Sequence, residues 1–427
     1  MAIVPSRHRA QRLYPLLAGL LCLLGAAGAQ AAPADLFAPE TLTAVGDFRL
    51  VASDGERGWT DEGFGKTRFG GTEDHDWKAR PVAAEVALVW QPRLSWAVTG
   101  TVVAAYQDDQ DHPVDLIESF VTLKPLPKGP MRVSARIGLF WPPVSLEHQG
   151  ASWSVTDMIT PSAINSWIGE EVKVIGAEAT VTRDIGASQL SGSLAVFGFN
   201  DTAGTLLAFR GWALHDLKAG AFGHQPLPPL NEDLEYAQAE KTRPLIEIDD
   251  RPGFYGKLSW RLPIPLTVSA FYYDNRADPE IRSARLQWGW ATKFWNLGAR
   301  IDLSDHTKIF AQALSGKTEM GTELDERYWV ETRFRSAYLR VSHQIASVTV
   351  SGRYDLFDTH ERGYEMEREE SEKGWAATGA ISWSLSSYVN ILGEVLHVRS
   401  DRDARVRIGA APHQQQTTVQ AALRLSF

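Results

Sequence analysis

Apolar and polar residues alternate along most of the chain in runs of about ten, broken by short stretches rich in proline, glycine, serine and aspartate. The C-terminal segment shows this most plainly. Val419, Ala421, Leu423, Leu425 and Phe427 take every second position, while Gln420, Arg424 and Ser426 share the other side. A period of two marks a β-strand, and arginine between leucines is tolerated where one face meets lipid and the other water. Segment 131–141 repeats the pattern, with Met131, Val133, Ala135, Ile137, Leu139 and Trp141 against Arg132, Ser134 and Arg136. So do 252–262, with Lys257, Ser259 and Arg261 on the polar side, and 347–357, with Thr349, Ser351, Arg353 and Asp355.

The alternation predicts about sixteen strands, with fourteen and eighteen as the neighbouring counts. They fall near 44–53, 82–91, 96–107, 115–124, 131–141, 171–182, 189–200, 252–262, 266–275, 287–303, 307–317, 327–342, 347–357, 374–385, 388–399 and 416–427. Tight turns such as Gln91-Pro92-Arg93, 127–130 and Pro263-Ile264-Pro265 alternate with long segments near 54–81, 142–170, 201–251 and an acidic 358–373. This is the rhythm of an all-β fold: a transmembrane antiparallel β-barrel with short periplasmic turns, long outer loops and both termini on the periplasmic side. Trp90, Trp96, Trp141, Trp260, Trp375 and Trp383 lie near strand ends, as interfacial girdles require. Two strands depart from the pattern. In 327–342 the phase slips near Ser336-Ala337, which a β-bulge there would repair, and Trp288 and Trp290 do not continue the apolar face of 287–303.

The N-terminus carries Arg7, Arg9 and Arg12, then an apolar run from Leu16 to Leu24, then Ala29-Gln30-Ala31. This predicts a cleaved secretory leader over 1–31 and a barrel over 32–427. The single cysteine, Cys22, falls inside the leader, so the mature chain has no disulfide, thiolate metal ligand or cysteine nucleophile. Loss of the leader leaves 40 basic against 52 acidic residues, a balance of −12 that disfavours nucleic acid as a partner. His148 near Ser152, and His360 beside Glu361, form no recognisable nucleophile or metal pattern, so the sequence predicts no enzyme, no catalytic residue, no metal and no cofactor.

Strand parity then supplies the candidate lumen. Arg49, Lys124, Arg132, Arg136, Lys257, Arg261, Arg300, Lys308, Arg333, Arg335, Arg353 and Arg424 are assigned inward, against Asp47, Glu85, Glu118, Glu178, Asp302, Glu331, Asp355 and Glu394. The basic excess suits an anion-preferring pore, because a solute entering the barrel recovers its solvation from the wall. Arg300 with Asp302 and Arg353 with Asp355 are also spaced to pair along one face and stiffen the barrel instead. The acidic excess is placed in the loops, at 73–76, 108–111 and 361–372, either simply solvated or holding divalent cations shared with lipopolysaccharide. Thr160-Pro161 reads as the start of a short helix within 142–170.

The leader, the alternating strands, the long third outer loop and the terminal Phe427 together resemble Gram-negative outer-membrane porins over essentially the whole mature chain. Phe140-Trp141-Pro142-Pro143 is weakly similar to the same part of phosphate-selective and related porins. The resemblance implies that loop 142–170 folds into the lumen and narrows it, with Thr160, Asn165 and Trp167 at the constriction. It implies that Phe427 is read by the barrel-assembly machinery, that the protein is a homotrimer, and that it sits among outer-membrane lipid and lipopolysaccharide. The expected function is passive diffusion of small hydrophilic solutes across the outer membrane, with a preference for anions. A hydrophobic-substrate transporter and a scaffold or adhesin-like barrel acting through its outer loops are the alternatives. The first would need a plug, and only about a dozen residues, Ala32 to Thr43, precede the first strand.

Overall fold

The alternating segments join edge to edge into one closed antiparallel barrel of sixteen strands. The computed structural model describes residues 36–427 except 128 and 365–369, so the leader 1–31 with Cys22, Lys128 of turn 127–130 and part of the acidic run 361–372 lie outside the described residues. The strands are β1 (Leu42–Ser53), β2 (Lys78–Trp90), β3 (Val98–Gln107), β4 (Val114–Leu123), β5 (Met131–Phe140), β6 (Val174–Ile185), β7 (Ser188–Gly198) and β8 (Gly253–Arg261). They continue with β9 (Leu266–Asp274), β10 (Lys293–Asp302), β11 (Thr307–Leu324), β12 (Arg327–Ile345), β13 (Val348–Glu361), β14 (Glu372–Ser384), β15 (Val389–Arg402) and β16 (His413–Ser426). Each pairs with the next, and β16 returns to β1, where Ala44 and Phe427 exchange two backbone hydrogen bonds of 2.9 Å. Closure leaves no unpaired sheet edge, the condition for placing strands in hydrocarbon.

The outer wall is apolar and the inner wall is not. In β16, Val419 and Leu423 are each 40% exposed outward, while Thr418 and Gln420 are buried inside. Most short turns gather at one end with the first and last strand residues, and the long loops at the other, where Asp325-Glu326 alone makes a two-residue turn among the described residues. No helix among the described residues is long and apolar enough to cross a membrane.

Several local expectations give way. The expected bulge at Ser336-Ala337 is absent, since β12 pairs with β13 without interruption from Thr332–Glu361 to Ile345–Val348. One phase runs through the strand, with Phe334, Ser336, Tyr338 and Arg340 inside and Arg333, Arg335, Leu339 and Val341 outside. Arg333 therefore points out of the barrel, not into the lumen, with its side chain 56% exposed. The reason is that this stretch of the interior is aromatic, so the sidedness inferred from polarity is inverted there. The register shifts instead at Asp47/Phe48 between β1 and β2, at Val103/Ala104 between β3 and β4, and between Met320 and Glu323 of β11. Trp288 and Trp290 precede β10 in a loop, which explains why they follow no strand parity. Trp141, expected in an interfacial girdle, is buried inside.

Candidate functional site: a filled lumen with a basic vestibule

Three outer loops fold into the barrel: 54–77, 141–173 and 199–252. The third outer loop carries helix α1 (Ala163–Glu171), every residue of which is buried. Its cap is Ser162, whose hydroxyl accepts from Asn165 N at 3.3 Å, two residues later than the sequence suggests. The Thr160 hydroxyl instead accepts from Gln420 at 3.3 Å, while its amide donates to Glu394 at 3.0 Å and its carbonyl accepts from Arg353 at 2.6 Å. Carboxylates from elsewhere meet the positive end of the helix: Asp355 accepts from Ala163 N at 3.1 Å and Glu147 from Ser162 N at 2.9 Å. Asn165 spans from Glu147 (2.6 Å) to Gln312 (3.0 Å). Trp167 packs with its ring centroid 5.2 Å from Phe294, 5.2 Å from Phe334 and 6.0 Å from Trp212, and its indole N–H donates to Glu171 at 2.6 Å.

The fourth outer loop contributes the short helix α2 (Thr205–Phe209) and a buried strand-like run to Ala221. Gly204, at φ +103°, starts α2 where an added Cβ would lie 2.2 Å from the Thr318 hydroxyl, so the tight approach needs glycine. Leu206 N donates to Glu171 at 3.0 Å, Arg210 to Glu170 at 3.0 Å, and Trp212 N to Glu372 at 2.9 Å. Asp216 accepts from Arg49 at 2.5 Å, and Lys218 donates to Glu85 at 2.5 Å. The first loop joins in, with Leu214 N donating to the Lys66 carbonyl at 2.7 Å and Lys66 Nζ 2.5 Å from Glu372. Part of the acidic run expected to be solvated is thus turned inward: Glu361, Glu370 and Glu372 are buried, and Glu370 holds Arg402 and Arg407.

Burial and charge act oppositely on two adjacent carboxyls of α1. Glu171 is pushed up to about 7, chiefly by burial. Burial also opposes ionisation of Glu170, but Arg210 and His215 prevail and hold it down at about 2. Lys173, buried with Nζ 3.8 Å from the centroid of the Trp141 ring, is pushed down to about 7, first by burial. These loop groups form a plug seated on the wall by buried ion pairs, each member of which would be costly to leave alone.

The sequence-derived cations divide accordingly. Arg49, Arg353 and Arg424 are inside but engaged with the plug or its neighbours: Arg49 with Asp47 (2.7 Å), Arg353 with Asp355 (2.7 Å), Arg424 with Asp47 (2.7 Å) and the Val155 carbonyl (2.5 Å). Arg300 pairs with Asp302 at 2.8 Å, and Arg132 with Asp184 at 2.7 Å near the short-turn end. Lys124, Arg136, Glu178 and Lys257 surround a cavity of about 410 Å³ on the periplasmic side of the third loop. Arg136 is bidentate to Glu178 (2.9 and 3.1 Å), and Lys257 donates to the Pro143 carbonyl at 2.6 Å. Serines and threonines complete the wall, with Thr180 and Ser193 2.8 Å apart. Arg261 ends β8 with its side chain exposed at the same rim. Phe427 stacks on Tyr388 with centroids 5.9 Å apart at the barrel seam. Sequence reading missed the fourth loop's share of the plug; buried Trp212 and the apolar run 206–209 are the signal that could have found it.

No family model matches the chain, and no curated protein matches it either. Solved structures do. The anion-selective porin from Comamonas acidovorans covers 91% of this chain and 99% of its own at 14% identity, with a TM-score of 0.52. The chain has the sixteen-stranded outer-membrane porin fold. The same porin fold is shared by the outer-membrane channel DcaP of Acinetobacter baumannii, at 12% identity over 90% of this chain and 97% of that one, TM-score 0.52. A loop-deletion mutant of OmpT, an outer-membrane protein of Vibrio cholerae, aligns at 8% identity over 91% and 99%, TM-score 0.52. In this barrel two long loops, braced by a third, fill the lumen.

Proposed function

We propose that the protein is a passive channel of the outer membrane for small hydrophilic solutes, with a preference for anions. The observation that carries this reading is the basic, hydroxyl-lined vestibule: Lys124, Arg136 and Lys257 face one acid, Glu178, around the 410 Å³ cavity. Anions entering from the periplasmic end gain charge-assisted contacts there, whereas cations meet a single carboxylate already engaged by Arg136. Loops 141–173 and 199–252 set the width of the passage; Thr160, Asn165 and Trp167, expected at the constriction, are buried within the plug and act by holding the third loop in place. Arg132, Arg261 and Arg300 tune the periplasmic mouth. Passage needs neither a cofactor nor a reacting side chain. Phe427 serves as the signal for the assembly machinery, the leader directs export, and the barrel works as a homotrimer among lipid and lipopolysaccharide, as the likeness to porins suggests.

Liposome swelling tests the reading. Vesicles carrying the purified barrel should swell in small sugars and small anionic solutes and exclude larger ones. Vesicles that remain tight to every solute would rule out diffusion and favour a scaffold acting through its outer loops.

A further inference from the structure

The second outer loop, residues 108–113, joins β3 to β4 beside the point where the fourth loop leaves the plug. The acids here are not equivalent. Asp109 pairs with Arg80 at 2.9 Å and Arg68 at 3.3 Å. Asp115, near the start of β4, accepts from the amides of Ala221 (3.1 Å), Phe222 (3.0 Å) and Gly223 (2.9 Å). Asp111 meets two imidazoles instead: His112 Nδ1 lies 3.2 Å from its Oδ1, and His224 Nδ1 lies 2.9 Å from its Oδ2. The His224 amide also donates to Asp111 Oδ1 at 2.9 Å, which sets this fourth-loop residue against the second loop.

The three groups are placed to share one ion. The ring centroids of His112 and His224 are 5.9 Å apart at an interplanar angle of 44°, and one donor atom from each of the three residues lies within 4.8 Å of the other two. Zinc bonds of about 2.0–2.1 Å hold tetrahedral ligand atoms about 3.4 Å apart, so closing the site takes side-chain shifts of about 1 Å. The side chains have room to make them, with His112 48%, His224 34% and Asp111 23% exposed. That exposure also opens a fourth position to water. Two imidazole nitrogens and a carboxylate oxygen are a donor set for zinc-class ions, whereas calcium and magnesium take about six or more oxygens. A second trio, Asp201, Glu247 and Asp249, brings only oxygens, and these already accept from the amides of Ile248, Phe199 and Asp278.

We propose that Asp111, His112 and His224 form a binding site for a divalent transition metal of the zinc class. The site joins two elements, because Asp111 and His112 belong to the second outer loop and His224 to the fourth. Bound metal adds a clasp next to Asp115, which already holds 221–223 to β4, and so fastens the exit of the plug to the barrel wall. Hydrogen bonds from the two imidazoles to Asp111 would hold the same loops without an ion, and metal binding separates the two accounts. The inference stands whether or not solutes pass through the barrel.

Calorimetric titration of Zn2+ into the untagged full chain in detergent tests it. His112→Ala and His224→Ala should each weaken zinc binding at least about tenfold, since loss of a group merely supporting a ligand already costs about 10–100-fold. Asp111→Asn, which keeps the shape of the carboxylate, should weaken it as well, and unchanged β-rich circular dichroism in these variants shows that a lost zinc is not a lost fold. An excess of Ca2+ of about a hundredfold should leave the zinc in place, because an oxygen-seeking ion gains little from imidazole. With Cu2+ as the probe, electron paramagnetic resonance should show two coupled nitrogens in the unmodified protein and one in either histidine variant. Zinc should also slow amide exchange over 219–225 in the unmodified protein but not in His224→Ala. Zinc affinity unchanged in both histidine variants, or zinc displaced by Ca2+, overturns the site, and exchange that zinc leaves unaltered overturns the clasp.

Discussion

Residue by residue, the lumen is organised by charges that have exchanged water for one another. Glu171 and Glu170 are neighbours on α1, yet one is pushed up to about 7 by burial and the other held down at about 2 by Arg210 and His215 despite burial. Their pH effects on the seating of the plug are opposite in sign. Between its ordinary value of 4.5 and about 7, Glu171 holds a proton in the seated state that a released loop would give up, so seating strengthens as pH falls through this window. Below 4.5 a released Glu170 takes up a proton that the seated one refuses, and seating weakens again. Amide exchange of residues 203–210, corrected for intrinsic rate, should therefore slow as pH falls from about 7 to about 5, the window below that of Lys173. Glu171→Gln should flatten that dependence, and an unchanged slope in this variant would remove Glu171 from the account. The same scale shows why charges were legible and their partners were not. Arg353 beside Asp355 is a spacing visible in the chain, whereas Arg49 with Asp216 joins residues 167 apart in sequence.

At the level of elements, a strand in a barrel is specified by alternation, and alternation survived well enough to place all sixteen. It failed where the interior itself is apolar. Phe334, Phe294, Phe310 and Phe357 point inward because α1 and the fourth loop bring Trp167 and Trp212 to meet them. In such a strand polarity no longer reports sidedness, which is how Arg333 came to be assigned to the wrong face. The short helix in the third loop is legible from Thr160-Pro161, but it starts after Ser162, because the wall engages the Thr160 hydroxyl through Gln420. The two inserted loops are mutually seated, through Leu206 N on Glu171 and Arg210 on Glu170. Trimming 155–169 alone should therefore raise single-channel conductance less than trimming 155–169 and 203–219 together, by several-fold. Equal conductance from the two trimmed forms would mean that the fourth loop does not obstruct the passage.

For the whole molecule, the balance of charge depends on which side of the wall each group lies. The chain is acidic overall, at −9, yet the cavity at the periplasmic end carries Lys124, Arg136 and Lys257 against Glu178. In a salt gradient across a planar bilayer the reversal potential should report anion preference. Lys124→Gln with Lys257→Gln should shift it toward cations, leaving the Arg136–Glu178 pair intact, and cation preference in the unmodified protein would refute the proposed selectivity. The chain by itself determined the closed barrel, its strand count, the end that holds the tight turns and the apolar outer wall, because a period of two between lipid and water is a local constraint that each strand satisfies alone. What filled the barrel was decided only by tertiary structure. Loops carry no periodicity, and whether Trp212, Glu372 and Lys66 meet in the lumen or face solvent depends on partners brought together from distant strands.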